Sequence, residues 1–479
     1  MSVRDKSSAM EAMSKDWPMI EALLGGTTAM RRTLALMPRW PNEDQESYDT
    51  RVKTATLFPA FGRTVEVLTG KPFSKPVTVG DDVPSRLREW CEDIDLQGRN
   101  LHAFLAAVGE EAVAYGLSGI LVDCPSAPAQ EEGMRPRTVA EEQAMGIRPY
   151  FVQVHPQNIL GYRTVRAAGA DVITQLRLLE CVTVEDGEFD EKHIEQVRVL
   201  YPGKWQIYRQ SEKAGVDGKK EWILHNEGTT SLTHIPFIPV YGKRVGFMNS
   251  RPPLAEVAHM NVKHWQSQSD QDTLLHVARV PILAVIGIED DKWKLSIGAA
   301  AAVKLPMGAD MKYVEHTGAA IEAGRLSLKD LEDQMRQGGA ELLVIKPGNI
   351  TESQTLADNE QGSCALQRIT QDLEDAGDAA LQFMADFVKE AKGGHITIYK
   401  DFGAATLAEA SAELLRQMNA LGKLSDESLY EEMQRRGIIR PDIKWDEEKD
   451  RIESQGPGLN GMDNEDPPPA NKPPGAGAD

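Results

Sequence analysis

The sequence contains no run approaching the roughly 20 consecutive apolar residues that a membrane span needs, although 41% of its 479 residues are hydrophobic. The stretch from Met1 to Met13 mixes charged and small residues and has no apolar segment, so no secretory signal is expected and the chain should be made and kept in a cytoplasm. Cysteine is scarce. Cys91, Cys124, Cys181 and Cys364 are widely spaced with no Cys-x-x-Cys pair, which argues against a zinc site or dithiol redox motif; reduced, mostly buried thiols are expected. Positive charge is also short, with 53 Lys and Arg against 73 Asp and Glu, a net charge of −20. Such a surface does not wrap DNA, because that affinity comes from cations displacing counterions. An acidic wall would instead repel phosphate and leave DNA free to slide past, although an acidic balance also simply keeps a protein soluble.

Catalytic signatures are missing too. There is no GxxxxGK[ST] phosphate loop, no HExxH, no GxSxG and no GxGxxG after a strand. His259 and His264 share a helical stretch, but a step of five turns them about 140° apart, which disfavours a shared metal. Asp93 and Asp95, two apart near a helix end, should point away from each other as caps or solvated charges. No catalytic, cofactor-binding or metal residue is therefore assigned.

What is present reads as a mixture of helices and strands. Residues 1–35 form a short helical arm. Pro38-Arg-Trp-Pro41 breaks it, and a helix with an acidic first turn opens near Asn42. Val52, Leu57, Phe61, Val65 and Leu68 make a loose helical stripe that Pro59 should interrupt. Pro84 to Asp95 is a helix with Leu87, Trp90 and Ile94 on one side. Leu101 to Tyr115 repeats apolar residues at three- and four-residue steps and stops at Gly116. Gly119 to Asp123 is a buried strand, and residues 126–147 are an exposed excursion. From Pro149 to Tyr241 the pattern alternates: strands at 150–154, 173–178, 196–200, 205–208 and 221–224 suggest one antiparallel sheet with a wet face. His234 to Pro239 is too proline-rich for a central strand.

Pro253 to Ala278 reads as a long helix with a polar middle, Gln266 to Asp272, and Ile282 to Gly287 as a strand. Short strand and turn signals fill 288–318, including Met311 to Val314. A helix follows at 319–337, which Gly338-Gly339 should interrupt, then a polar loop. A helix at about 360–392 carries a near-heptad seam from Leu366 to Val388, with Glu374, Asp375, Asp378 and Asp386 on it. His395 to Tyr399 is a strand, and helices at 407–421 and 425–436 precede a Pro- and Gly-rich tail, 453–479, expected to be disordered and dispensable for assembly.

Several of these stretches together resemble the portal, or head-to-tail connector, proteins of tailed bacteriophages. They are Tyr48 to Phe61 with Gly70-Lys-Pro-Phe73, Trp90 to Gly98 leading into Tyr115 to Pro125, and Arg148-Pro-Tyr150. His155 to Leu160, Ile235 to Pro239 and Pro252 to Asn261 continue the series, running through Gln266 to Asp270 and on to Ala278 to Leu283. No one of these motifs is specific; their order and spacing together are.

The resemblance implies an α+β portal-type subunit, with an α/β wing, helical stem, small clip and helical crown, that assembles into a ring. The wing would span 1–250, the first stem helix 251–278, the clip 279–318 and the second stem helix 319–340. A tunnel loop would follow at 341–359, the long helix and its return to the wing at 360–399, and the crown at 400–452. On this view the first stem helix packs on neighbours and also faces a wet channel, so its polar middle needs no fully apolar side; the plain alternative is a surface helix of a monomer. The implied role is structural rather than enzymatic: a dodecameric ring at one capsid vertex of the virion that passes the genome in and out. Its partners would be further copies of itself, the major capsid protein and scaffold, terminase, a tail or head-completion adaptor, and double-stranded DNA contacted without sequence specificity. No cofactor is implied. Lys346, Asn349 and Gln354 in the tunnel loop are the residues assigned to face the channel and DNA, unless that loop lies on the outside of the ring. Two other readings stand beside this one. The chain could be another ring-forming head–tail adaptor, although those tend to be smaller, or an enzyme whose pocket the sequence hides.

Overall fold

The structure, a computed structural model, describes residues 2–125, 146–211, 220–230, 232–279, 282–286, 308, 310–314, 318–343, 364–400, 415–435, 439 and 443–454. The excursion expected at 126–147, the loop at 346–359 and the tail beyond Ser454 lie outside these residues, wholly or nearly so. The chain divides into two units, Met1–Lys400 and Asp401–Asp479, and mixes helices with antiparallel sheets, an α+β fold.

The first unit opens with α1 (Ser8–Met13), α2 (Trp17–Leu24) and α3 (Gly26–Arg32). The break at Pro38–Pro41 is followed by α4 (Gln45–Thr54), whose N-cap Asp44 accepts from the Ser47 amide at 2.9 Å. Pro59 then separates α4 from α5 (Ala60–Gly70). The stripe read across this break is real: Val52, Leu57, Phe61, Val65 and Leu68 are all buried. Next come α6 (Ser85–Trp90) and α7 (Leu101–Tyr115); Leu87 and Ile94 are buried, Trp90 only partly. Gly116 ends α7 with φ +84°, and a side chain there would run into the Arg251 backbone, so this stop needs glycine twice over.

The core forms where α7 meets β2 (Leu117–Asp123) and α10 (Ala365–Val388). Phe104, Leu105 and Val108 pack with Ile120, Leu373, Ala380 and Met384, all buried. Each fully buried large apolar side chain in this cluster contributes roughly 1.5–3 kcal/mol. α10 starts at a capping box between Cys364 and Gln367 and ends at Lys389 in the left-handed conformation.

The strands do not make one sheet. β3 (Tyr150–Val154) pairs with β2, and β9 (Phe237–Tyr241) pairs with the other side of β2, giving a three-stranded sheet in the order β3-β2-β9. Pro239 thus sits on an edge strand, where its missing N–H costs least. A separate antiparallel meander runs through β4 (Ile159–Ala167), β5 (Ala170–Glu185), β6 (Glu191–Tyr201), β7 (Lys204–Gln210) and β8 (Trp222–Thr229). Arg198 links the two sheets, reaching Asp123 at 2.5 Å and Glu180 at 3.0 Å. A small hairpin, β10 (Lys243–Gly246) with β11 (Asn249–Arg251), precedes the long helix.

The residues after α10 return along it. Gly393 donates its amide to Gln382, Ile396 to Asp378 and Ile398 to Glu374, at 2.9, 2.7 and 2.7 Å. Lys400 closes the row, its ammonium on Gln371 and Glu374 and its carbonyl accepting from Gln367. On the other side, β14 (Ile396–Thr397) pairs with β1 (Thr78–Val79). Of the carboxylates read as riders on this helix, Glu374 and Asp378 are thus acceptors for the returning backbone, while Asp375 and Asp386 accept from Gln371 and Gln382 of the helix itself.

Several expectations need correction. Gly338 and Gly339 do not interrupt α9 (Ala319–Ala340). They let it pack closely: a Cβ on Gly339 would sit 2.7 Å from Thr64 Cγ2, and one on Gly338 3.1 Å from Val257 Cγ2. Asp95 is no solvated cap. It is 2% exposed and holds the Gln97 and Arg99 amides and the Arg99 guanidinium. Of the cysteines, Cys91 and Cys364 are buried but Cys181 is exposed on β5; burial pushes the Cys91 thiol up to about 11.

In the second unit, residues 415–420 are helical, and the rest of the helix expected at 407–421 lies largely outside the described residues. α11 (Asp426–Arg435) is capped by Ser425, which accepts from the Ser428 amide at 3.2 Å. A helix not foreseen, α12 (Trp445–Ser454), follows; Trp445 meets the ring of buried Tyr430 at 5.2 Å between centroids.

Candidate functional site

The feature that stands out from the body is a helical hairpin. α8 (Ala255–Ala278) and α9 run antiparallel, with Val257 beside Gly338, His264 beside Glu332, and Gln271 donating to the Ile321 carbonyl at 2.9 Å. Between them β12 (Ile282–Ile286) pairs with β13 (Asp310–Val314). The remaining residues expected to form the clip, 287–307 among them, lie outside the described set.

α8 is polar for a helix so well covered, and its root explains why. Leu254, Val257, Ala258 and Trp265 are buried in the body, and so is Asn261. The Asn261 amide oxygen accepts from the Phe61 amide and its nitrogen donates to the Phe58 carbonyl, both at 2.9 Å. Pro59 offers α5 no side-chain cap, so α8 supplies one. Gln266 donates to the Leu36 carbonyl at 3.0 Å. His264, 2% exposed, stacks on Phe58 with its Nε2 3.7 Å from Glu332. Burial lowers its pKa against the pull of Glu332.

The polar middle of α8 makes contacts within its own subunit. Gln266, Ser269 and Gln271 turn toward protein, and Asp270 lies 3.9 Å from Arg51; Asp272 is exposed and accepts from Gln268. Arg51 anchors this contact. It is buried, forks onto both carboxylate oxygens of Glu43 at 2.7 Å and lies over Trp40 at 4.2 Å. The hydrogen bond from Arg51 holds the Glu43 carboxyl below its ordinary pKa.

The outer half of the hairpin is open. Leu274, Ile286 and Leu326 are exposed at 42%, 52% and 47%. A groove of about 1100 Å³ separates α8 from α4, lined by Trp40, Arg51, Ser269, Asp272, His276 and Arg279 among others. A second, of about 510 Å³, runs between α8 and α9 past Leu275, Ile321 and Leu328. His259 and His264 part company as their spacing predicts: His259 is exposed near Asp16, 3.9 Å away, while His264 points into the hairpin. Among the described residues no cluster of His, Cys, Asp and Glu has metal-binding geometry, and no helix is long and apolar enough to cross a membrane.

Lys346, Asn349 and Gln354 lie outside the described residues. The sequence signalled the hairpin helices but not their anchors. Nothing beside Asn261 in the sequence marks it as a cap, because the backbone it caps is 200 residues away.

A family model described as a domain of unknown function, DUF4055, matches residues 253–388, the span from the start of α8 to the end of α10. No curated protein matches the chain. Among solved structures, the chain is similar to one in the neck of the native GTA particle computed with C12 symmetry. The identity is 13% and the TM-score 0.41, over 78% of this chain and 88% of that one. A chain in the neck of the empty GTA particle computed with C6 symmetry gives 13% and 0.41, over 79% and 90%. One in the virion of the native gene transfer agent particle is 14% identical with a TM-score of 0.41, over 85% of this chain and 97% of that one.

Proposed function

We propose that this chain is the portal subunit of a tailed-phage particle. Copies form a dodecameric ring at one capsid vertex, around a channel through which the genome is packaged and later ejected. The observation that carries this reading is the α8–α9 hairpin and its place in the chain. A long helix leaves an α/β body, turns through a strand pair, returns antiparallel and passes on to a long buried helix. That is the order of wing, stem, clip, stem and long helix that the sequence resemblance implies.

The hairpin is rooted through Asn261, Trp265 and Gln266 and exposes Leu274, Ile286 and Leu326 farther out, as a stem that meets neighbouring copies would. The net charge of −20 suits a channel that lets DNA slide, because acidic walls repel phosphate. Lys346, Asn349 and Gln354 take the DNA-facing positions, one cation per subunit making a thin belt rather than a grip. Terminase, the major capsid protein with its scaffold, and a tail or head-completion adaptor dock on the ring. The protein's task is mechanical, with no reaction of its own.

Light scattering and negative-stain imaging of the purified full-length protein test this. The expected result is a ring with a central hole; a strictly monomeric species across concentration and salt overturns it. Crosslinking of Gln354→Cys to DNA in filled heads tests the loop's place. No adduct, with the same cysteine labelled from outside the isolated ring, moves the loop to the exterior.

A further inference from the structure

Two hairpins on this chain each hold an arrangement that costs the isolated subunit stability. At the β5–β6 turn, five of the seven residues from Glu185 to Glu191 are carboxylates, and Glu185 stands directly opposite Glu191 in the register. At the small hairpin, Lys243 stands directly opposite Arg251, with Arg244 beside them. Like charges facing each other across an antiparallel pair are destabilising, and the two hairpins carry this penalty with opposite signs. Each also exposes an apolar side chain beside its charges: Phe189 is 91% exposed and Val245 55%. The acidic turn is closed by the Asp186 amide on the Asp190 carbonyl at 2.8 Å, so Phe189 is presented on a defined loop. Arg244 lies over the Tyr241 ring at 4.9 Å, near Asp372 of α10.

We infer that the Phe189 turn of one copy docks on the Lys243–Arg251 hairpin of the next. The inference rests on the ring reading and adds which surfaces meet. A ring built head to tail needs two unlike patches on one chain that complement each other. Here one patch is acidic around an exposed phenyl ring and the other basic around an exposed valine. Docking brings each like-charge pair opposite charges of the other sign, and it removes Phe189 and Val245 from water. Nucleic acid and anionic lipid are excluded as occupants of the acidic turn by their own negative charge. Attraction of this kind steers association and weakens with salt.

The test is charge reversal with rescue, on the full-length protein, read as the concentration dependence of assembly by light scattering. E185K/E188K and K243E/R244E should each weaken assembly about tenfold or more, and the four changes together should restore most of it, the signature of a direct contact. Circular dichroism confirms that each variant is folded. As a second readout, mixing Phe189→Cys with Val245→Cys protein should give disulfide-linked dimers under mild oxidation. Rings from all variants at wild-type concentrations, without rescue or crosslinking, overturn the contact and leave the ring reading intact. A wild type that stays monomeric overturns both.

Discussion

Asn261 caps a helix to which it does not belong: its side-chain oxygen holds the Phe61 amide in the first turn of α5 at 2.9 Å, while its nitrogen takes the Phe58 carbonyl. The first turn of any helix has amides with no partner inside the helix, and the residue in the cap position here is proline. The cap had to come from elsewhere, and its donor fixes α8 against α5. Asn261→Ala leaves the buried Phe61 amide unsatisfied, while the Phe58 carbonyl keeps its bond from the Ala60 amide. The expected loss is on the order of 2 kcal/mol, seen as a lower denaturant midpoint with an unchanged slope. A midpoint equal to wild type would show that water replaces the side chain at no cost.

Gly339→Ala should destabilise although alanine is the better helix former. The helical gain is about 1 kcal/mol, whereas a new Cβ 2.7 Å from Thr64 Cγ2 forces α9 away from α5 at a cost of roughly 1–3 kcal/mol. Thr64→Ser removes that methyl and keeps the hydroxyl that bonds the Ala60 carbonyl. The double variant should therefore be more stable than Gly339→Ala alone. Additive effects in thermal unfolding would place the cost somewhere other than this contact.

The returning segment should show a pH window. His395 Nδ1 lies 2.5 Å from Asp82, and the His395 amide also reaches that carboxylate. The hydrogen bond to Asp82 raises the His395 pKa, and the same bond lowers that of Asp82. The histidine's contribution is complete below its unfolded pKa and is lost as pH rises through the raised folded value. The aspartate's is complete above its unfolded pKa and is lost as pH falls through the lowered folded value. The pair thus holds between those two limits. An NMR titration of His395 should give a raised pKa that drops toward the ordinary range in Asp82→Asn; no drop would assign the shift to Asp378, the other carboxylate acting on it.

Local pattern carried much of this fold. α7 runs over the residues its apolar repeat marks, Pro59 separates two helices, and Gly116 stops one, because propensity, periodicity and backbone sterics act within a few residues. What the sequence hid depends on distant partners. Strand alternation found Tyr150–Val154 but could not say that it joins β2 rather than the meander, since pairing is chosen by packing. Gly338-Gly339 has the composition of a break, and only Thr64 and Val257 across the contact make it a close approach. In the polar middle of α8, nothing local marks the backbone carbonyls at Leu36 and Ile321 that Gln266 and Gln271 reach. At the candidate site the hairpin was legible and its anchoring was not.

The row of side chains from Gln367 to Gln382 has a mechanical meaning. The chain leaves the first unit at Lys400, having just run antiparallel to α10 with its backbone fastened to that helix every few residues on one side and to β1 on the other. A pull on the chain beyond Lys400 along the axis of α10 would load these bonds together, as shear, rather than opening them in turn as a peeled strand would. Tension arriving from the C-terminal side would therefore be carried into α10 and the core around Leu373 and Met384.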